Sequence, residues 1–175
     1  TFFWIEEGTD SGDILDQEIF LINNDEDAKS LYHKITDLGK KMILKNLKLI
    51  EQGVIIRKKQ DSTKFIENWN KRTPEDGKIN WTCLSNDIYK LIRATTDPYP
   101  GAFTFFRNGK VKIWKALLSS KASSKPGRIM QINDLGVFVG TGDNMIIIQD
   151  ISFENGKQIK ANKFFSDKDI GYVVE

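Results

Sequence analysis

Cysteine and histidine are almost missing from these 175 residues, with one of each. The lone Cys83 excludes an internal disulfide and any multi-thiolate metal site, and next to Leu84 it reads as small core filler. The lone His33 excludes a zinc site built on several imidazoles and any chemistry that needs two histidines. No apolar run approaches the ~20 residues needed to cross a bilayer, and the opening TFFWIEE has neither a basic leader nor a small-residue cleavage site. The expectation is a cytoplasmic protein with no membrane partner. Acidic residues are absent from positions 98–133, where Arg107, Lys110, Lys112, Lys115, Lys121, Lys125 and Arg128 all fall. That local excess suits phosphate, although a solvated lysine face is the commoner cause of such a run. The sequence starts on Thr1 and not on methionine, which reads as a piece of something longer.

What is present is ordinary globular text, 39% hydrophobic and 29% charged, long enough for one sizeable domain or two small ones. TFFWIEE and residues 14–22 read as strands, and the GTDSGD turn between them makes a hairpin-like pair. Two aspartates three residues apart in a glycine-bearing turn can hold a metal, orient a base or make a tight corner. In NNDEDA, Asn24 reads as the N-cap of a long helix, with Asp27 three residues on. Leu31, Ile35, Leu38 and Met42 then repeat at helical spacing, Ile43, Leu47 and Ile50 fill the adjoining face, and Gly53 ends the run. His33 lies off that stripe and reads as an exposed surface residue.

From residue 54 to residue 81 no period holds, so this stretch reads as a linker with a tight turn at TPEDG. A short helix over 84–95 is stopped by the two prolines of DPYPGA. Then AFTFF, KVKIWKALL, RIMQI, GVFVGT, MIIIQDISF and QIKANKFF read as short strands, separated by RNGK, KPG, NDLG, GTGDN and ENGK turns. Even spacing of this kind suggests a small Greek-key barrel of the OB type. GTGDN joins two strands instead of opening a helix, so it reads as a turn and not as a phosphate cradle.

Several landmarks line up in order. WIEEGTDSGDIL resembles the EG-x-D-x-G-D-I-hydrophobic segment of the folate-dependent formyltransferases. DPYPGAFTFF with GKVKIWKA resembles the start of their carboxy-terminal OB-like domain, and KPGRIMQINDLGVFVGTGDNMIIIQDI with ENGKQIKANKFF is similar to the rest of it. The resemblance covers almost the whole chain. It implies a fold class of an α/β remnant, the end of a Rossmann-like formyltransferase domain with two strands and a long helix over 1–53, then an interdomain linker over 54–81. A small all-β OB-like barrel led by a short helix follows over 82–175.

The resemblance also implies 10-formyltetrahydrofolate as cosubstrate, with no metal. It places Asp10 as the catalytic aspartate and sets Glu6, Glu7, Gly8 and Thr9 against the pterin, with Asp13 left to the turn. The family's asparagine and histidine belong to an N-x-H-x-S-L-L-P motif upstream of that aspartate. No such motif occurs here, and His33 lies downstream, so the chain by itself is expected to be inactive. Two acceptors fit. KRTPEDGKINW and TDPYPGAF resemble the enzymes that formylate amino sugars carried on nucleotides, which is the favoured expectation, with Arg72 near the sugar-nucleotide pocket. The basic strand with Lys110 and Lys112 would instead track the backbone of initiator methionyl-tRNA. A hydrolase acting on the same folate, and a non-catalytic OB-like binding module able to form a homodimer, remain the other readings.

Overall fold

The computed structural model describes residues 1–61, 63, 69–123, 125–153 and 156–175. The chain divides into two compact units, one made of Thr1–Glu26 with Ser30–Lys71, the other of Asp27–Lys29 with Arg72–Glu175. Among the described residues no helix is long and apolar enough to cross a membrane. Of the segment read as a linker, residues 54–61 fall in the first unit and 72–81 in the second, while Ser62 and residues 64–68 lie outside the described residues.

In the first unit the expected strand pair is antiparallel but far shorter than the apolar runs: β1 is Phe2–Phe3 and β2 is Ile14–Asp16, with Phe3 opposite Ile14. Hydrophobicity over residues 17–22 is not matched by pairing, and Ile19 and Leu21 are 96% and 84% exposed. A strand needs a neighbouring strand for its backbone groups, and among the described residues none pairs with 17–22; the Leu21 carbonyl accepts from Lys34 Nζ at 3.2 Å instead. The long helix α1 is Ala28–Glu51. Asn24 is not the cap its spacing suggests: α1 begins only at Ala28, and ahead of it the Asn23 N–H donates to the Glu26 carboxylate at 2.6 Å and closes a separate turn. Gly53, at φ +79°, ends the helix as a left-handed cap, its N–H bonded to Ile50 O and that of Val54 to Leu49 O. Of the apolar stripe only Met42 is fully buried, whereas Ile35, Ile43 and Leu47 are about half exposed. A polar contact ties helix to strand. Asn46 Nδ2 and Lys45 Nζ donate to the Asp16 carboxylate at 2.7 and 3.0 Å, and these bonds hold its pKa below the usual carboxylate range. His33 is exposed, as its place off the stripe implied.

The second unit opens with a 3-10 turn, Pro74–Gly77, where the Thr73 N–H donates to the Asp76 carboxylate at 2.6 Å. Helix α2, Ser85–Thr95, follows, and it buries Ile88 and Ile92. The strands are β3 (Ala102–Phe106), β4 (Gly109–Ala122), β5 (Ile129–Asn133), β6 (Gly136–Gly140), β7 (Asn144–Phe153) and β8 (Ile159–Lys160). They form one antiparallel sheet in the order β3-β4-β7-β6-β5, with β8 on β7. The β3–β4 hairpin turns on Arg107 and Asn108, both at positive φ, the geometry that matches strand twist in a two-residue turn. Val111, Ile113, Ile129, Val137, Val139, Ile146, Ile148 and Ile151 point to one core with α2, Trp81 and Phe165.

Two expectations are corrected here. QIKANKFF is not one strand: after β8 the chain makes a single helical turn, α3 (Ala161–Phe164), which brings Phe164 and Phe165 against Phe106. Among the described residues the strands also do not close into a barrel, since β3 and β5 do not pair. Residues 171–175 hydrogen-bond to both edges instead. Ile129 donates to Tyr172 O and Val174 to Gly127 O on one side, while Phe105 and Glu175 exchange bonds of 2.7 and 3.0 Å on the other. Both edges are thereby protected without a continuous ladder. Glu154 and Asn155 of the ENGK turn lie outside the described residues. Cys83 is exposed in a turn, its N–H donating to Asn80 O, and is not core filler.

Candidate functional site

The GTDSGD loop lies between β1 and β2, and its shape follows from backbone contact. The Trp4 N–H donates to Asp13 O at 2.9 Å, and a Cβ on Gly12 would stand 1.6 Å from Trp4 O, so only glycine fits there. Asp10 sits at φ +53°, a left-handed conformation that aspartate tolerates better than most side chains. Phe3 and Ile5, together with Glu6, Glu7, Gly8, Thr9 and Asp10, line an open cleft of about 360 Å³. All five site residues expected in this loop therefore share one surface.

Residues 54–61, which carry no periodic signal, brace that loop. Ile14 and Lys58 pair as a short antiparallel bridge through two backbone bonds of 2.7 and 3.0 Å. The Trp4 indole N–H donates to Ile56 O at 2.9 Å. The Arg57 guanidinium lies 5.0 Å from the Trp4 ring centroid, 3.5 Å from Glu6 Oε1 and 3.6 Å from Asp13 Oδ2. Gln60 Nε2 donates to the carbonyls of both Asp10 and Gly12 at 2.7 Å each. Neither Arg57 nor Gln60 was legible as a site residue, because their partners lie about 50 positions away in sequence.

The other expected site residues belong to the second unit. Alternation along β4 buries Val111 and Ile113 and puts Lys110, Lys112 and Trp114, all half-buried, on the opposite face. Lys110 Nζ stands 3.8 Å over the Phe103 ring and 3.6 Å from Glu75, and Lys112 Nζ is 5.6 Å from the Trp114 ring. Arg72 pairs loosely with Asp76 at 3.8 Å. Arg72 and Lys110 thus meet neighbouring acids of the same 3-10 turn. The GTGDN sequence is a turn between β6 and β7 and serves as an anchor. Asp143 accepts from the Ser85 N–H at 2.7 Å at the start of α2, and from Thr141 Oγ1 and Asn144 Nδ2. The backbone N–H groups of Ser85 and then Asn144, followed by the Thr141 and Ser85 hydroxyls, lower the pKa of Asp143 to about 2.

Comparison with known proteins places the second unit first. The family described as formyl transferase, C-terminal domain, matches residues 71–169, more than half of the sequence. This chain belongs to that formyltransferase family. Among curated relatives, a methionyl-tRNA formyltransferase of Alkaliphilus metalliredigens is 31% identical over 97% of this chain and 54% of its own length. The chain spans about half the length of the curated relatives it matches. Among solved structures, HypX from Aquifex aeolicus in complex with tetrahydrofolic acid superposes with a TM-score of 0.73 at 21% identity, over 91% of this chain and 28% of that one. An N-formyltransferase from Helicobacter canadensis in complex with folinic acid and dTDP-3-aminofucose gives 0.57 at 24%, over 84% and 53%. At these identities the structural likeness speaks to fold alone.

Proposed function

We propose that this chain supplies the folate-facing aspartate loop and the carboxy-terminal domain of a 10-formyltetrahydrofolate-dependent N-formyltransferase. The observation that carries the reading is the gathering of Glu6, Glu7, Gly8, Thr9 and Asp10 on one cleft, with Asp10 held in an uncommon backbone conformation. Formyl transfer is attack by a neutral amine on the formyl carbon, through a tetrahedral species that bears an oxyanion and has a proton to lose. In this reading the Asp10 carboxylate takes that proton directly or through an ordered water, or orients an imidazole that does. The oxyanion is met by the asparagine and histidine that the family resemblance implies and this sequence does not contain, so the chain alone transfers no formyl group. The folate ligands named for two of the solved neighbours support the cosubstrate.

The acceptor in this reading is a nucleotide-linked amino sugar. Lys110 is engaged with Phe103 and Glu75, and Lys112 with Trp114, so neither extends freely as a phosphate-tracking lysine would. Initiator methionyl-tRNA is the second reading, favoured by the names of the curated relatives and by the acid-free stretch over 98–133. The cosubstrate is tested by titrating 5-formyltetrahydrofolate into the isotope-labelled chain. Amide shifts centred on residues 6–10, lost in Asp10→Asn, are expected; shifts elsewhere, or none at the solubility limit of the ligand, refute it. The acceptor is tested by binding of initiator against elongator tRNA at several salt concentrations. Initiator-selective binding with a steep salt slope overturns the sugar reading, and weak unselective binding supports it.

A further inference from the structure

We infer that Gln60 is the positioning residue of the Asp10 loop, a role that rests on reading Asp10 as the catalytic aspartate. Its carboxamide has two N–H donors, and both are used: one on the carbonyl of Asp10, one on that of Gly12, each at 2.7 Å. Those carbonyls bracket Ser11. Fixing both holds the peptide planes that follow Asp10 and Gly12, and so restrains the turn in which Asp10 keeps its φ of +53°. A non-glycine residue in this region costs conformational energy, so its persistence needs an outside constraint. Gln60 supplies one from 50 positions along the chain.

The donor is itself fixed. Two residues earlier, Lys58 is locked to Ile14 by the paired backbone bonds, and four residues earlier Ile56 O holds the Trp4 indole. Arg57, between them, reaches Glu6 and Asp13 at the two shoulders of the loop. The brace therefore grips the loop at its base, shoulders and tip, with Gln60 at the tip. It acts on Asp10 through the backbone and does not line the cleft.

The decisive variant is Gln60→Glu, which keeps the shape but turns acceptors toward two carbonyls. Gln60→Lys keeps a donor at similar reach. Three quantities are read on each protein: the sign of the Asp10 φ from backbone couplings, supported in the parent by the through-hydrogen-bond couplings from Gln60 Nε2; the affinity for 5-formyltetrahydrofolate; and the thermal midpoint. In Gln60→Glu, Asp10 leaves its positive φ and affinity falls roughly tenfold, as expected from two lost hydrogen bonds. The thermal midpoint falls by no more than the loss of two surface hydrogen bonds allows, and Gln60→Lys restores both the φ and the affinity. A positive φ and unchanged affinity in Gln60→Glu overturn the inference. So does a loss of affinity in both variants in step with a fall in thermal midpoint, since Gln60 would then matter only for stability. If the unaltered chain binds no folate, the proposed function fails, while the Asp10 φ in Gln60→Glu still decides the brace.

Discussion

Thr104→Val is the sharpest test of how residues 171–175 hold the second unit together. Thr104 is buried on β3, where its hydroxyl accepts from the Trp81 indole N–H at 2.9 Å and donates to Glu175 O at 2.8 Å. One hydroxyl thus joins the segment before α2, the edge strand and the terminal segment. Valine has nearly the same shape, so no cavity forms. The variant loses two hydrogen bonds, each worth about 1 kcal/mol net, and leaves the buried Trp81 N–H without an acceptor, at roughly 1–3 kcal/mol. Water reaching the Glu175 carbonyl recovers part of this, so a net loss of about 2–3 kcal/mol is expected. Urea unfolding, followed at the amides of Val111 and Ile151 in the centre of the sheet, measures it. A Trp81→Phe, Thr104→Val double-mutant cycle isolates the pair, with a coupling of about 1 kcal/mol or more expected. A Thr104→Val protein within about 0.5 kcal/mol of the parent, the range of ordinary surface changes, refutes the claim that this hydroxyl ties the seam.

Asp143 predicts a pH response. Its pKa in the folded chain is about 2, below the ordinary 3.8, so its stabilisation is complete above about pH 4 and is lost as pH falls through 2. Acid titration of Asp143→Asn against the parent checks this: the parent loses stability over that window more steeply than the variant, and parallel curves refute the assignment. Two glycines at positive φ separate strain from collision. Gly136→Ala at φ +139° would place a Cβ 2.2 Å from Ile148 O, in the ladder between β6 and β7, and is expected to lose about 2 kcal/mol or more. Gly53→Ala at φ +79° meets nothing within 4 Å and is expected to lose only about 1 kcal/mol at the end of α1. Denaturation of both variants checks the order, and equal losses refute it.

The features that could be read in advance are those whose partner is a near neighbour in sequence. The period of two in KVKIWK gave the two faces of β4, and the RNGK turn gave the hairpin to β3, because strand and partner are separated by two residues. Helix α1 was legible from its spacing and from Gly53, yet it starts later than Asn24 suggests, because the Asn23 N–H bonds to the Glu26 carboxylate and closes a turn before the helix begins at Ala28. Residues 17–22 show the converse failure. Their apolar text satisfies any strand template, but a strand is defined by what its backbone bonds to, and that is not written in the segment itself.

The same logic separates the site from its support. Glu6, Glu7, Gly8, Thr9 and Asp10 are contiguous, so a motif exposes them together, and the cleft they line follows from one loop. Gln60 and Arg57 are single polar residues in a run without period, and their role exists only because Lys58 pairs with Ile14. The closing of the sheet edges has the same origin. GYVVE carries no turn or long periodic signal, yet its backbone meets Gly127, Ile129 and Phe105 at once. A short segment that satisfies two edges gains bonds on both sides for one cost in chain ordering, which makes such an arrangement stable without β propensity of its own. Sequence pattern therefore reports the strands, while the contacts that aim Asp10 and seal the sheet are decided by which distant backbone groups would otherwise go unpaired.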